Sequence, residues 1–119
     1  MIELFGIKNC NTVKKALDWL VLNNVDFNFI DVKKDLSAVH INQWFKNLPV
    51  HLDPSMFVNQ RGITWRNLID ADKQLINSTK GIIELILKKP SVMKRPVLVD
   101  KKSVVLLGYD EEDYERVLI

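Results

Sequence analysis

Hydrophobic positions along this chain fall into short apolar runs and longer stretches with helical spacing. Met1 to Ile7 is a short, mostly apolar segment broken at Gly6, the pattern of a buried strand. Val13, Ala16, Leu17, Leu20 and Val21 follow at i, i+3, i+4, i+7 and i+8. That spacing predicts a helix with one apolar stripe packed on a sheet. Asn11 or Thr12 is expected to cap its start by accepting from the free amides of the first turn, and Asn23-Asn24 to end it. Val25 to Val32, with Phe27 and Phe29 alternating against Asn28 and Ile30, reads as a second strand. Strand, helix and strand within about 30 residues make a βαβ unit with a right-handed crossover.

The middle of the chain carries a different pattern. Leu36, Val39, Ile41, Trp44, Phe45 and Leu48 predict a helix stopped near Pro49. A turn-rich stretch around Asp53-Pro54 leads to Asn59-Gln60-Arg61-Gly62. Thr64 or Asn67 is expected to start a short helix carrying Trp65, Leu68 and Ile69. Another helix, capped by Ser78 or Thr79, carries Ile82, Ile83, Leu85, Ile86 and Leu87. No strand pattern occurs between about Lys34 and Lys89, so residues 35–89 read as a helical insertion.

After Pro90 the strand pattern returns. Val97-Leu98-Val99, the turn Asp100-Lys101-Lys102-Ser103 and Val104 to Leu107 predict a hairpin, broken at Gly108. Asp110 is placed to cap a last helix, with Tyr109 and Tyr114 forming a hydrophobic staple across the cap. Its acidic first turn suits the positive end of the helix dipole. The order βαβ, helices, ββα predicts a single α/β domain over residues 1–119, a mixed sheet interrupted by the insertion.

Composition narrows the chemistry. The chain has 119 residues, 47% of them hydrophobic and 27% charged, ordinary for a folded globular domain. A net charge of +2 without a clustered basic face gives no reason to expect DNA as a partner. The lone Cys10 excludes an internal disulfide, and His40 and His51 lack cysteine partners at zinc-ligand spacing. No metal is expected. No apolar run approaches the roughly 20 residues of a membrane span, and the N-terminus lacks secretory character. A monomer in the thiol-reducing cytoplasm is the expectation.

Cys10 is the strongest chemical position. It follows a strand and a glycine and stands at a helix N-terminus, where the amides of Asn11, Thr12 and Val13 and the helix dipole favour a thiolate. Lys8 adds positive potential. The competing reading is a small buried structural residue. Cys10-Asn11-Thr12-Val13 lacks the second cysteine of a Cys-x-x-Cys pair, so redox cycling needs an outside thiol. Lys94-Arg95-Pro96 precedes a strand, and the predicted topology brings that junction beside Cys10. There Arg95 is able to present a planar guanidinium to a thiolate, carboxylate or oxyanion, the alternative being a solvated basic turn. Arg61 in its polar loop is a weaker candidate. Trp19, Trp44 and Trp65 read as core or core cover, His40 and His51 as surface polar residues, and Glu111, Glu112, Asp113 and Glu115 as a solvated helix face.

Four segments together, Phe5-Gly6-Ile7-Lys8-Asn9-Cys10-Asn11-Thr12-Val13-Lys14-Lys15-Ala16, Asn59-Gln60-Arg61-Gly62-Ile63-Thr64-Trp65, Met93-Lys94-Arg95-Pro96-Val97-Leu98 and Leu107-Gly108-Tyr109-Asp110, form a specific ordered set. The set resembles the arsenate reductase-related family, ArsC/Spx-like, and within it the small YffB-like branch. The resemblance spans essentially the whole chain.

It implies a thioredoxin-like fold, a nucleophilic cysteine at Cys10, and an arginine before a cis-proline at Arg95 and Pro96. Lys8, Asn11, Thr12, Arg61 and Pro96 are the accompanying thiol- or anion-binding candidates. No bound cofactor is implied. Glutathione is the implied co-substrate and, with glutaredoxin, the resolving partner, the substrate being a small-molecule or protein disulfide. The arsenate enzymes of this family carry further arginines near Asn59 and at Gly108, and only Arg61 stands close enough to replace one. Each lost charge-assisted contact to a dianion costs about 1.5–3 kcal/mol. The expectation is therefore a glutathione-dependent thiol reductase, with arsenate reduction proper as one alternative. The other alternative is an Spx-type regulator that binds RNA polymerase, whose Cys-x-x-Cys switch Val13 abolishes here.

Overall fold

A computed structural model describes residues 1–119. The two most apolar segments become the central strands. Strand β1 (Ile2–Gly6) pairs in parallel with β2 (Phe27–Asp31), Leu4 opposite Phe29. On its other side β1 runs antiparallel to β3 (Val97–Asp100), Leu4 opposite Leu98, and β3 runs antiparallel to β4 (Ser103–Leu107). The strand order β2-β1-β3-β4 is that of the expected mixed, thioredoxin-like sheet.

Alternation along the strands builds two cores. Leu4, Leu98 and Leu106 point to one face, where Ala16, Trp19 and Leu20 of helix α1 (Asn11–Leu22) and Tyr114 cover them. Phe5, Val97, Val99 and Val104 point to the other, beneath Ile41 and Trp44 of α2 (Ala38–Lys46) and Ile82, Leu85 and Ile86 of α5 (Thr79–Lys88). Val104 and Leu106 are two apart yet face opposite sides. The register shifts between Leu98 and Val99, so Val105 is the extra residue of a β-bulge that turns the strand over. Lys101 and Lys102, both at positive φ, close the hairpin.

Between β2 and β3 the chain forms helices and turns, with one isolated bridge between Val58 and Met93. Short helices α3 (Ile63–Arg66) and α4 (Asp70–Lys73) and single 3-10 turns at Pro54–Phe57, Gln74–Asn77 and Pro90–Val92 accompany α2 and α5. Helix α6 (Glu111–Leu118) closes the fold. Asp110 accepts from the Asp113 amide at its cap, and the Tyr109 and Tyr114 rings meet edge to face at 4.8 Å as the staple requires. Ser78 caps α5 by accepting from the Gly81 amide.

Several local expectations are corrected. The first helix is capped by Cys10, not Asn11 or Thr12, because the Cys10 carbonyl already accepts from the Lys14 amide. Its buried stripe is centred on Ala16 and Leu20, so Trp19 is inside and Val21 is 67% exposed. Val39 is likewise exposed on α2. The helix expected from Thr64 or Asn67 starts at Ile63 behind Gly62, and Ile69 faces solvent. His40 is only half-exposed: its Nδ1 accepts from the Ser37 amide at 3.1 Å, and its ring packs on Phe5 at 5.1 Å.

Candidate functional site

The site forms where two loops meet above the ends of β1 and β3. The first runs from β1 through Lys8 and Asn9 to Cys10, whose amide donates to the Ile7 carbonyl and whose side chain is half-buried at the start of α1. The second descends from α5 through Met93, Lys94 and Arg95 to Pro96. Main-chain bonds fix this second loop: the Lys94 amide to Phe57 O, the Asn59 amide to Val92 O and the Gly108 amide to Pro96 O, each at 2.8 Å. The Arg95–Pro96 peptide is cis. Gly108 occupies φ +81°, where a side chain is disfavoured and a Cβ would press on Lys94.

Arg95 is tethered by its own backbone. Its Nη1 donates to the carbonyls of Ser91 at 2.9 Å and Met93 at 3.0 Å, while its Nε is buried with no protein partner. The guanidinium is therefore oriented before any ligand arrives. Burial pushes the Cys10 thiol up, but the Val13 amide, the nearby Arg95 guanidinium and the Thr12 amide more than offset it. The thiol lies below its ordinary range, as an anion at a helix N-cap beside a cation should.

Cys10, Thr12, Asn59, Lys94, Arg95 and Tyr109 line a cleft of about 250 Å³, together with Met93 and Gly108. Of the residues singled out in the sequence, Cys10, Thr12 and Arg95 meet here, with Pro96 buried behind them. Asn11 is exposed at the first helical position. Lys8 turns away, its ammonium 5.9 Å from the Phe29 ring centroid. Arg61 lines a neighbouring cavity of about 550 Å³ that shares Asn59 and Lys94 with the Cys10 cleft. Asn59, Lys94 and Tyr109 are additions. Lys94 was visible as the neighbour of Arg95, whereas the staple role of Tyr109 hid its second face. No three His, Cys, Asp or Glu side chains gather as a metal site.

A model of the ArsC family matches residues 5–117. The chain belongs to the ArsC family. Among solved ArsC-like structures, the YffB protein is 33% identical, superposes with a TM-score of 0.86 and covers 100% of both chains. A possible arsenate reductase from Streptococcus mutans is 28% identical, with a TM-score of 0.79 over 97% of this chain and 98% of that one. The global transcriptional regulator Spx of Streptococcus pyogenes is 29% identical over 99% of this chain and 85% of its own length. The ArsC fold here is thioredoxin-like, and its relatives include proteins named as reductases and as regulators. No helix is long and apolar enough to cross a membrane.

Proposed function

We propose that this ArsC-family protein is a glutathione-dependent thiol reductase with Cys10 as its nucleophile. The observation that carries this reading is the tethered Arg95 guanidinium acting with the Val13 and Thr12 amides on a thiol that opens into a cleft. The Cys10 thiolate attacks one sulfur of a substrate disulfide, forming a mixed disulfide as the substrate S–S bond breaks. The departing thiolate takes the electron pair and a proton. With no second cysteine in the chain, an external thiol must resolve the intermediate. One glutathione attacks Cys10 sulfur and releases the second substrate thiol. A further glutathione, directly or through glutaredoxin, frees Cys10 and leaves as glutathione disulfide. Two glutathione molecules are oxidised for each disulfide reduced.

The test is glutathione disulfide formation from small-molecule disulfides, with Cys10→Ser as the control. Turnover by the wild type and none by the variant is expected. Equal background rates for both sink the proposal. The similarity to Spx favours a second reading, docking on RNA polymerase without catalysis. It predicts polymerase binding that survives Cys10→Ser. Arsenate is the minor alternative oxidant, tested by arsenate-dependent oxidation of glutathione with glutaredoxin present.

A further inference from the structure

The cavity beside the Cys10 cleft is larger than the cleft itself, and its walls are mixed in a specific way. Leu52, Met56, Val58 and Leu107 supply apolar surface, while Arg61 and Lys94 bring positive charge. No Asp or Glu lines either this cavity or the Cys10 cleft. Its volume of about 550 Å³ suits an organic group rather than a small inorganic anion.

The walls are also held in place. The Lys94 amide bonds to Phe57 O, the Asn59 amide to Val92 O, and Val58 bridges Met93, so the 52–61 segment and the Arg95 loop form one support. The Arg61 amide donates to Asn59 Oδ1 at 3.2 Å, fixing the turn that carries Arg61. Asn59 and Lys94 border both spaces, so the cavity adjoins the cleft that holds Cys10.

We propose that this cavity is the substrate-selecting subsite of the reductase, and that it takes an apolar, negatively charged organic group attached to the oxidised sulfur. The proposal rests on the thiol reductase reading and adds the substrate class: an anionic aryl or alkyl disulfide. The apolar body lies against Leu52, Met56 and Val58, and the anion lies between Arg61 and Lys94. Cys10 thiolate attacks the sulfur nearer to it. The S–S bond breaks, a Cys10–sulfur bond forms, and the electron pair leaves on the other thiolate.

The test compares two aryl disulfides, the dianionic bis(nitrobenzoate) disulfide and neutral dipyridyl disulfide, in their rates of reaction with Cys10. Each rate is divided by that of free glutathione, which removes intrinsic reactivity. The wild type is expected to favour the anionic probe. Arg61→Ala should lower that preference about fivefold, the effect of one partly exposed charge contact. Met56→Asp, at a position already 43% exposed, should lower it as well. No preference in the wild type, or a preference unchanged in both variants, overturns the subsite. A separate iodoacetamide pH profile of the wild type reports the thiolate, so an ordinary cysteine midpoint there removes the reductase reading while the probe ratio still decides the subsite.

Discussion

The Arg95 guanidinium stands beside the Cys10 sulfur with one nitrogen already committed to two backbone carbonyls. A guanidinium anchored in this way loses little freedom when it stabilises an anion, which makes it a preorganised partner for a thiolate. Alkylation of Cys10 by iodoacetamide should therefore titrate with a midpoint below the free-thiol value of about 8.5. Arg95→Ala should raise the midpoint and slow alkylation at neutral pH severalfold. Arg95→Lys should recover only part, because an ammonium lacks the planar fork in which one nitrogen holds both carbonyls and the others stay free. An unchanged midpoint in Arg95→Ala would remove Arg95 from the site.

The same thiol links stability to pH. Its pKa is depressed in the native state, so the unfolded chain keeps the proton to higher pH. The contribution is fully present above the unfolded value of about 8.5 and is lost as pH falls through the native one. Denaturant melts across this window should show stability rising with pH in the wild type, and Cys10→Ser should flatten that rise.

Tyr114 is buried against Trp19 and Tyr109, and its hydroxyl has no hydrogen-bond partner. Tyr114→Phe keeps the ring and removes the orphan, so it should leave stability unchanged or raise it by up to about 1 kcal/mol. Tyr114→Ala should cost about 3–5 kcal/mol through the cavity it opens. Burial, with Tyr109 adding, raises the Tyr114 phenol pKa, so its contribution holds below the unfolded value of about 10 and is lost as pH climbs further. Tyr114→Phe should weaken that alkaline loss in thermal melts.

Gly81 sits in the first turn of α5, where a Cβ would collide with the Leu75 carbonyl oxygen. Alanine in a helix is ordinarily favourable by up to about 1 kcal/mol over glycine. Here the sign should reverse, because relief requires moving backbone, and Gly81→Ala should destabilise by about 3 kcal/mol. A melt of the variant at or above wild-type stability would contradict the close approach.

Much of this was legible in the chain itself. Leu4, Phe5 and Val97 to Val99 are apolar without a break because β1 and β3 are central, so both faces of each are covered. Ser78 and Asp110 announced their helices by chemistry that acts within three residues, and Cys10 announced itself by standing between a strand and a helix. The topology inferred from that order then brought Arg95 toward Cys10, although the two are far apart in sequence. Local rules misplaced the first cap because Asn11 and Thr12 are the better cap formers in isolation. The bonding of Lys14 to the Cys10 carbonyl starts the helix one residue sooner.

Only the tertiary structure decided which charges serve the site. Lys8 is two residues from Cys10 yet reaches toward Phe29, while Lys94 and Asn59, distant in sequence, border the thiol cleft. The tether of Arg95, the turned face of β4 and the cavity between Leu52 and Leu107 likewise join atoms whose separation no spacing rule encodes. Sequence periodicity determines which face of each element is buried, because burial follows the local repeat of the backbone. Where side chains from separate elements converge depends on packing and main-chain bonds between loops, and these exist only once the chain has closed on itself.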